Sequence, residues 1–499
     1  MISQALGGLI NSLTPMNMLV MLAGVVVGTI VGAMPGLTAT VAVIILLPFT
    51  YGLAPVPALI LLGASYCGSM YGGSISSILI NTPGTPAAAL TAMDGFPMAR
   101  KGRAGEALGM AAFSSWFGGT LSVVMLLFFA ETLARIAMRF GPPEFFLLAV
   151  FGLTIIISLS KEDPLKGVIS AMIGLLMGTV GMDMFNGYRR FTFGSLSLMS
   201  GMSLVPVLIG LLSIPHIFNL AKEAEKSILR EEAEVHDRVV PSFKEMKRLL
   251  PCLLRSSIIG VLVGALPGAG GSVATFIAYD AEKKASKTPE LMGKGCVDGI
   301  AAAESSNNGV TGGALATMLT LGIPGSPVTA VMLGGLMMKG ISPGPIFFET
   351  ASLTAYTFIM GLFPANLMML IIGLVGAKYF IKLVKCPTQV LISIILVLAA
   401  VGSFAVNNDI FDVFLMFGTG LLAYAMTLLK IDPMPAVLGF ILGPIAEKGI
   451  RQTAIITQND YSVFFRRPAS QVLLVLIVIS ILYPIISERL RRKKSSGAA

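Results

Sequence analysis

Two short motifs of the same form carry residue types suited to binding an anion. The sequence is TPGTP at residues 82–86 and IPGSP at residues 323–327, each between apolar segments. Proline disfavours helix in the residue before it, so each Pro-Gly pair ends a helical arm. Thr85 and Ser326 then precede a proline, the usual order of N-cap hydroxyl and N1 proline at a helix start. We predict two hairpin tips whose free N–H groups and positive helix ends suit a carboxylate.

The residues of these tips and the amides beside them are the candidate substrate ligands. An asparagine side chain in hydrocarbon needs a hydrogen-bond partner, which an anion or a coupling cation could supply. For the small residues, the alternative is that Gly, Ala and Ser only let helices pack closely. The predicted substrate-binding residues are Asn81, Thr82, Gly84, Thr85, Gly325, Ser326 and Asn307.

A second pair of breaks occurs at MPG (34–36) and LPGAGG (266–271), and hydroxyl residues follow both. Broken helices at matching positions in two halves are a strong sequence indication of a transporter site near the middle of the membrane. Glu304, the one carboxylate inside a predicted arm, either takes part in cation coupling or lies at a solvated helix entry. The predicted ligands of a coupling cation, Na+ or H+, are Gly36, Thr38, Gly268, Ser272, Asn308 and Glu304.

The composition requires these motifs to be positioned by helices in lipid. Of the 499 residues, 55% are hydrophobic and 12% are charged, too few to cover a soluble globule with polar surface. Apolar segments of the roughly 20 residues that cross a bilayer recur along the chain. We predict an all-α polytopic membrane protein with two inverted-topology repeats, each with broken helices and a re-entrant helical hairpin.

Several other functions are disfavoured by what the chain lacks. It has no GxxxxGK phosphate loop, no HExxH, and no GxSxG with a usable histidine. Four scattered cysteines and two histidines are poor material for a metal cluster or haem. The net charge of +9 is more simply a topology signal than a nucleic-acid site. We predict a non-enzymatic transporter without cofactor or metal beyond possible Na+, with transport driven by an ion gradient or a partner.

The two halves of the chain resemble each other. GTIVGAMPG at 28–36 matches GVLVGALPG at 260–268 in every Gly and Pro, and the two tip motifs follow in the same order. An internal duplication explains such ordered matches. The predicted units are a first transmembrane repeat at 1–220, a charged cytoplasmic linker at 221–248, a second repeat at 249–456, and a final transmembrane helix with a basic cytoplasmic tail at 457–499.

Lysines and arginines in the loops favour an inverted second repeat over a parallel one. With the loop at 100–103 in the cytoplasm, inversion places more positive residues inside than outside, and each repeat then has about five crossings plus a re-entrant hairpin. Against this arrangement, it leaves Lys283, Lys284, Lys287 and Lys294 outside.

Four segments resemble a known family: GAMPGLTA at 32–39, YGGSISSILINTPGTPA at 71–87, ALPGAGG at 265–271 and GIPGSPVTAVMLGGL at 322–336. They are similar to the large membrane subunit, TctA, of the tripartite tricarboxylate transporters, and the resemblance covers nearly the whole chain. It implies a permease of the bacterial cell inner membrane that works with a small membrane subunit and a periplasmic solute-binding protein. It also implies import of a carboxylate such as citrate by cation symport, with the tips as the substrate site. An uncoupled solute or ion channel is the alternative.

Overall fold

The computed structural model describes residues 2–159, 164–224, 235, 237–268, 270–380, 382 and 388–496. Nearly all of the regular structure is helical, and one short antiparallel hairpin joins β1 (Gly181–Met182) to β2 (Arg189–Arg190). The helices are α1 Ile2–Ser12, α2 Pro15–Ala33, α3 Ala39–Leu46, α4 Pro55–Ile80, α5 Ala89–Arg100, α6 Ala104–Ala137, α7 Pro142–Leu159, α8 Pro164–Gly178, α9 Leu204–Ala224, α10 Phe243–Gly264, α11 Gly270–Ala285, α12 Val297–Leu321, α13 Pro327–Met338, α14 Phe347–Thr350, α15 Ser352–Gly376, α16 Thr388–Asn407, α17 Ile410–Leu428, α18 Met434–Ile456, α19 Val463–Arg466 and α20 Pro468–Ser496.

Seven helices of the described chain are long and apolar enough to cross a membrane: α2, α4, α6, α9, α15, α16 and α17. The protein is therefore an all-α, multi-pass membrane protein, as its composition predicts. Helix α12 is too polar to face lipid, since it contains ESSNN at 304–308. It is buried along almost its whole length, so its polar side chains contact protein instead of hydrocarbon.

The order of elements in α2–α5 recurs in α10–α13, with breaks at the same places. Gly36 and Gly268 adopt the same left-handed backbone at the first break, with φ of 79° and 77°. Asn81 ends α4 and Gly322 ends α12, with φ of 53° and 71°. The motifs that match in the sequence thus also match in backbone conformation.

Glycines place each broken helix directly against its buried neighbour. A Cβ on Gly28 of α2 would lie 2.3 Å from the carbonyl oxygen of Ser65 in α4, and one on Gly260 of α10 would lie 2.3 Å from that of Ser306 in α12. Neither position has room for a side chain, so the backbones contact each other. The same contact therefore supports the first break in both halves.

The chain does not form re-entrant hairpins at 82–86 and 323–327, so that part of the prediction is wrong. Lys339 Nζ, after α13, donates to the carbonyl oxygens of Tyr51 (2.9 Å) and Leu53 (2.8 Å), just before α4. Lys101 Nζ, after α5, donates to the carbonyl oxygen of Lys294 (2.8 Å), just before α12. Gly344 N, in the loop after Lys339, donates to Leu319 O at the C-terminal end of α12 (3.1 Å), whereas Lys294 lies just before its N-terminal end. Because α12 is about 37 Å long, the two lysine contacts lie at opposite ends of the protein. Each pair of helices therefore crosses from one end to the other.

The reason is that the tip reverses the chain only briefly. Thr82 N donates to Ser76 O and Gly84 N to Gly73 O, both at 3.3 Å, so residues 82–85 run back along α4. Helix α5 then resumes the original direction. A Pro-Gly pair ends a helix, but it does not determine the direction in which the next helix leaves.

The re-entrant hairpins are instead α2–α3 and α10–α11. Helix α2 runs beside α4, with Gly24 against Leu61 and Gly32 against Ser69, and α3 then returns towards the start of α4. Helix α10 begins beside Asp298, which Arg248 contacts at 2.8 Å. Helix α11 returns to the same end, because Tyr279 shares Asp94 with Cys296 N, just before α12. In the described structure, the helix pairs that return to the end at which they start are therefore those at the MPG and LPG breaks.

One end of the protein collects the linker and several basic loops. Asp237 of the linker accepts hydrogen bonds from Gly105 N (2.6 Å) and Glu106 N (2.9 Å) at the start of α6, close to Lys101. Lys294 contacts Lys101, so Lys283–Lys294 lie at this end and not at the opposite one as the loop count assumed. That count rested on a re-entrant hairpin at 323–327, whereas a crossing pair puts the preceding loop at the other end.

The flanks of the predicted linker are helical. Helix α9 continues to Ala224 and α10 starts at Phe243. Ser242 accepts a hydrogen bond from Glu245 N (3.3 Å) and so caps α10. Residues 225–234 and 236 of the linker, and 497–499 of the tail, lie outside the described residues.

At the opposite end, the loop between α8 and α9 is fixed by charged groups. Arg451 of α18 lies 2.7 Å from Asp183, and Arg190 lies 2.7 Å from Glu447. Hydrogen bonds from the backbone N–H groups of Phe185 and Asn186, with Arg451, lower the pKa of Asp183 below its usual range.

The placement of the loops can be tested by thiol labelling in a background with serine at the native cysteines. We expect Lys287→Cys and Gly102→Cys to react with a membrane-impermeant maleimide from one side, and Arg189→Cys from the other. All three positions are exposed. Labelling should be compared between right-side-out and inverted vesicles. Reaction of Lys287→Cys from the same side as Arg189→Cys would contradict the crossing of α12 and α13.

Candidate functional site

A cavity of about 740 Å³ brings all four helix breaks together. Its wall includes Thr38 from the α2–α3 break, Thr85 from the first tip, Gly268 and Ser272 from the α10–α11 break, and Ser326 from the second tip. Breaks that lie far apart in the sequence therefore surround one space.

Four helical segments begin at this cavity. Helix α3 starts after Thr38, a 3-10 turn leading into α5 starts at Pro86, α11 starts at Gly270, and α13 starts at Pro327. The first N–H groups of a helix lack intrahelical partners, and the helix dipole makes that end partly positive. The convergence of these N-termini makes the cavity suitable for an anion.

The cavity extends towards the end that contains the linker. Lys166, His216 and Asn219 line that part of the wall, together with Lys430 and Asp432 from the connection between α17 and α18. None of the described lining residues belongs to the loops at the opposite end, such as 51–54 or 339–346. The cavity therefore approaches only one end of the protein.

Several hydrogen bonds hold the second tip in place. Ser326 Oγ accepts from Thr329 N (3.3 Å), and Ser326 N donates to Thr329 Oγ1 (2.9 Å), so Ser326 caps α13 as predicted. Gly268 N donates to Gly325 O at 3.1 Å and joins the tip to the α10–α11 break. Tyr66 of α4 also reaches this tip, with its hydroxyl 3.3 Å from Ser326 Oγ.

Sequence reasoning missed Tyr66. It stands as many residues before Thr85 as Asn307 stands before Ser326, so the two side chains occupy equivalent places in α4 and α12. Comparing the polar residues of the two arms position by position could have found it.

The first tip differs from the second. Thr85 Oγ1 makes no capping bond, and Ala88 N donates to the Thr85 carbonyl oxygen (3.0 Å) in a 3-10 turn instead. A Cβ on Gly73 of α4 would lie 2.8 Å from Thr85 Oγ1, so this hydroxyl faces α4. The prediction of Thr85 as a helix cap is therefore wrong, because the first turn after it is 3-10 and its side chain turns behind the tip.

The other predicted tip residues lie behind the cavity or away from it. Gly84 packs against α2 and Gly325 against α10, while Asn81 and Thr82 form the turn at the end of α4. Gly36 lies in the turn of the α2–α3 break. Within the described residues, none of these five lines the cavity.

The two asparagines of α12 face different ways. Asn307 Nδ2 donates to Met70 O (3.1 Å), and a Cβ on Gly271, at the cavity wall, would lie 3.0 Å from its Oδ1. Asn307 therefore supports the wall from behind. Asn308 Nδ2 lies 3.4 Å from Met369 Sδ of α15, so it points away from the cavity.

Glu304 is completely buried and does not lie at a solvated helix entry, so that alternative is wrong. It accepts hydrogen bonds from Thr91 Oγ1 of α5 and from Ser115 Oγ of α6 (2.9 Å). It is absent from the described cavity wall. In this conformation the Glu304 carboxylate links its own helix, α12, to α5 and α6.

Asp94 is a buried carboxylate that the sequence did not identify as important. It accepts hydrogen bonds from Gly293 N (2.8 Å), Gly295 N (3.0 Å), Cys296 N (2.8 Å) and the Tyr279 hydroxyl (2.6 Å). These donors lie on α11 and on the loop before α12, so Asp94 fixes α5 to the second half.

We expect Asp94→Asn to destabilise the protein by roughly 3 kcal/mol, because a neutral amide replaces a charge that accepts four hydrogen bonds in a buried site. Asp280→Asn is the matched control, since Asp280 is exposed and pairs only with Lys284 one helical turn away. Thermal unfolding of the purified proteins in detergent measures both. Equal unfolding temperatures for the two variants would contradict the role given to Asp94.

Comparison with known proteins is consistent with this architecture. The tripartite tricarboxylate transporter TctA family matches residues 18–438, which confirms the resemblance seen in the four segments. An uncharacterized 52.8 kDa protein in the TAR-I ttuC′ 3′ region of Agrobacterium vitis is 38% identical over 487 residues, covering 97% of this chain and 96% of its own length. An uncharacterized protein in the TAR-II ttuC′ 3′ region of the same organism is 34% identical over 234 residues, covering 46% of this chain and 97% of its own. No solved structure matches the chain significantly.

Proposed function

Because this chain belongs to the tripartite tricarboxylate transporter TctA family, we propose that it is a permease subunit that imports a small carboxylate across the bacterial inner membrane by cation symport. The observation that carries the proposal is that four helical segments begin at one cavity. A carboxylate is the chemistry that such a set of N–H groups and dipoles favours.

In the proposed complex, the carboxylate lies between the two tips. Its oxygens accept hydrogen bonds from free N–H groups at the first tip and at the starts of α11 and α13, and the Ser326 hydroxyl contributes one more. Tyr66 and Thr329 orient that hydroxyl, which limits the freedom lost on binding. Lys166 and Lys430 lie along the wall towards the linker end and attract the anion.

The proposed mechanism requires two inverted repeats. Its support is that α4 and α12 run in opposite directions, since α4 starts near Lys339 and α12 starts near Lys101. If the linker is cytoplasmic, the cavity faces inward, and the movement of one repeat against the other would expose it to the outside. The basic loops gathered at the linker end favour that orientation.

The proposed partners are a small membrane subunit and a periplasmic solute-binding protein that delivers the carboxylate. The tripartite nature of the family supports them. An uncoupled channel would need a water-filled path between both ends, whereas this cavity approaches one end only.

Ser326→Ala should raise the carboxylate concentration needed for half-maximal uptake about tenfold, because one hydrogen bond to a charged group is lost. Thr320→Ala is the control, since its hydroxyl donates to Ala316 O inside α12 and does not reach the cavity. Both variants should be compared by uptake in proteoliposomes. If Ser326→Ala needed the same carboxylate concentration for half-maximal uptake as the unmodified protein, the Ser326 hydroxyl would not be a ligand of the carboxylate.

Symport itself can be tested with proteoliposomes that contain this subunit and its small partner, with the binding protein outside. We expect labelled di- or tricarboxylate to accumulate above the external concentration only when a cation gradient is imposed. Equilibration without accumulation would support the channel instead.

A further inference from the structure

We propose that the first repeat binds Na+ behind its tip, through the main-chain oxygens of Gly32 and Gly84 and the hydroxyl oxygens of Ser76 and Thr85. The inference rests on the cation symport proposed above and gives the cation a location and an identity. Apart from Gly84 and Thr85, which were predicted to contact substrate, none of these residues appears among the ligands predicted from the sequence.

Two buried hydroxyls in this region lack partners. Ser76 Oγ and Thr85 Oγ1 are both inaccessible, and neither makes a hydrogen bond to any part of the chain that the structure describes. A Cβ on Gly84 would lie 2.2 Å from Gly32 O and 3.1 Å from Ser76 Oγ. A Cβ on Gly73 would lie 2.8 Å from Thr85 Oγ1. The unpaired oxygens therefore lie close to Gly84 and Gly73, two positions at which only glycine fits.

The carbonyl of Gly32 is also free to bind a cation. It lies in the last turn of α2, where carbonyls lack helical partners, and Pro35 has no N–H to donate. The helix dipole makes this end partly negative. The C-terminal end of α2 is thus directed at one side of the first tip, and the other side of this tip faces the anion cavity.

The second repeat provides an internal comparison, because the counterparts of Gly84 O, Ser76 and Thr85 are paired there. Gly325 O accepts from Gly268 N (3.1 Å), and Thr317, the counterpart of Ser76, donates to Ala314 O (3.2 Å). Ser326, the counterpart of Thr85, caps α13. In the first repeat, no hydrogen bond among the described backbone groups joins Gly36 N to Gly84 O. The same frame therefore pairs three of these groups in the second repeat, whereas in the first repeat Ser76 Oγ and Thr85 Oγ1 have no partner in the described chain.

The chemistry of the four oxygens favours Na+ over H+. Carbonyl and hydroxyl oxygens do not take up a proton near neutral pH, whereas hard cations prefer oxygen ligands. Each unpaired buried hydroxyl lowers the stability of the folded protein by about 1–3 kcal/mol. A cation bound to both Ser76 and Thr85 would remove this penalty at both hydroxyls.

The position of the site explains how cation and carboxylate could be coupled. Thr85 lines the anion cavity with one part of the residue and directs its hydroxyl away from it, towards α4. Na+ bound behind the tip would fix Gly84 and Thr85, and so fix the N–H groups that receive the carboxylate. Coupling of this kind is reciprocal, so the carboxylate should also tighten Na+ binding.

The test is thermal unfolding of the purified full-length protein in detergent, without carboxylate, as NaCl replaces choline chloride at constant ionic strength. We expect Na+ to raise the unfolding temperature of the unmodified protein and of the control Thr317→Ala. Ser76→Ala should need about tenfold more Na+ for half of the same effect, because one ligand is lost. In choline alone, Ser76→Ala should unfold at the same temperature or higher, since it removes an unpaired hydroxyl.

A wild-type response of Ser76→Ala to Na+, or no response of the unmodified protein, would overturn the site. Uptake in proteoliposomes separates this failure from failure of the proposed function. Carboxylate accumulation driven by a proton gradient alone would contradict the Na+ site but would still support the proposed permease function. Stabilisation by Na+ that depends on Ser76, without uptake of any carboxylate under any gradient, would support the Na+ site and contradict the proposed permease function.

Discussion

The structure depends on one constraint: a backbone that leaves helical geometry at membrane depth cannot face lipid. Breaks at 34–38, 81–86, 265–268 and 322–326 expose N–H and C=O groups that hydrocarbon would leave unpaired. The protein surrounds them with other helices, above all α4 and α12, which are buried nearly throughout. These central helices can be rich in Ser, Gly and Asn because they contact protein and not lipid.

Glycine contacts make that enclosure possible. Gly28 and Gly260 bring α2 and α10 against the backbones of α4 and α12, so each broken helix is held along its length up to the break. Rigid support on one side leaves the other side of each break free to face a shared cavity. The proposed anion site and the proposed cation site follow from the same arrangement, because α2 ends at one face of the first tip and the turn into α5 begins at its opposite face.

Much of the fold could be predicted from the sequence, because Pro and Gly act locally. The positions of the four breaks, the order of the repeat and the cap at Ser326 all follow from neighbouring residues. The direction of the chain after 82–86 could not be predicted, since it depends on how the tip packs against Gly73 of α4. Tyr66 and Asp94 were missed for a related reason, since their partners lie in the other half of the chain. Neighbouring residues do not indicate either side chain, and Tyr66 could be found only by comparing the two arms.

The contacts of Lys101 and Lys339 have a consequence for how the protein is made. Each half-helix ends on a loop of the other repeat, and the partners of Asp94 and Lys101 are about two hundred residues downstream. During synthesis the ribosome must pass Cys296 before α5 can reach its final contacts. The first half of the chain therefore enters the bilayer before Asp94 and Lys101 have these partners, and the polar groups of α5 must be shielded until the second half arrives.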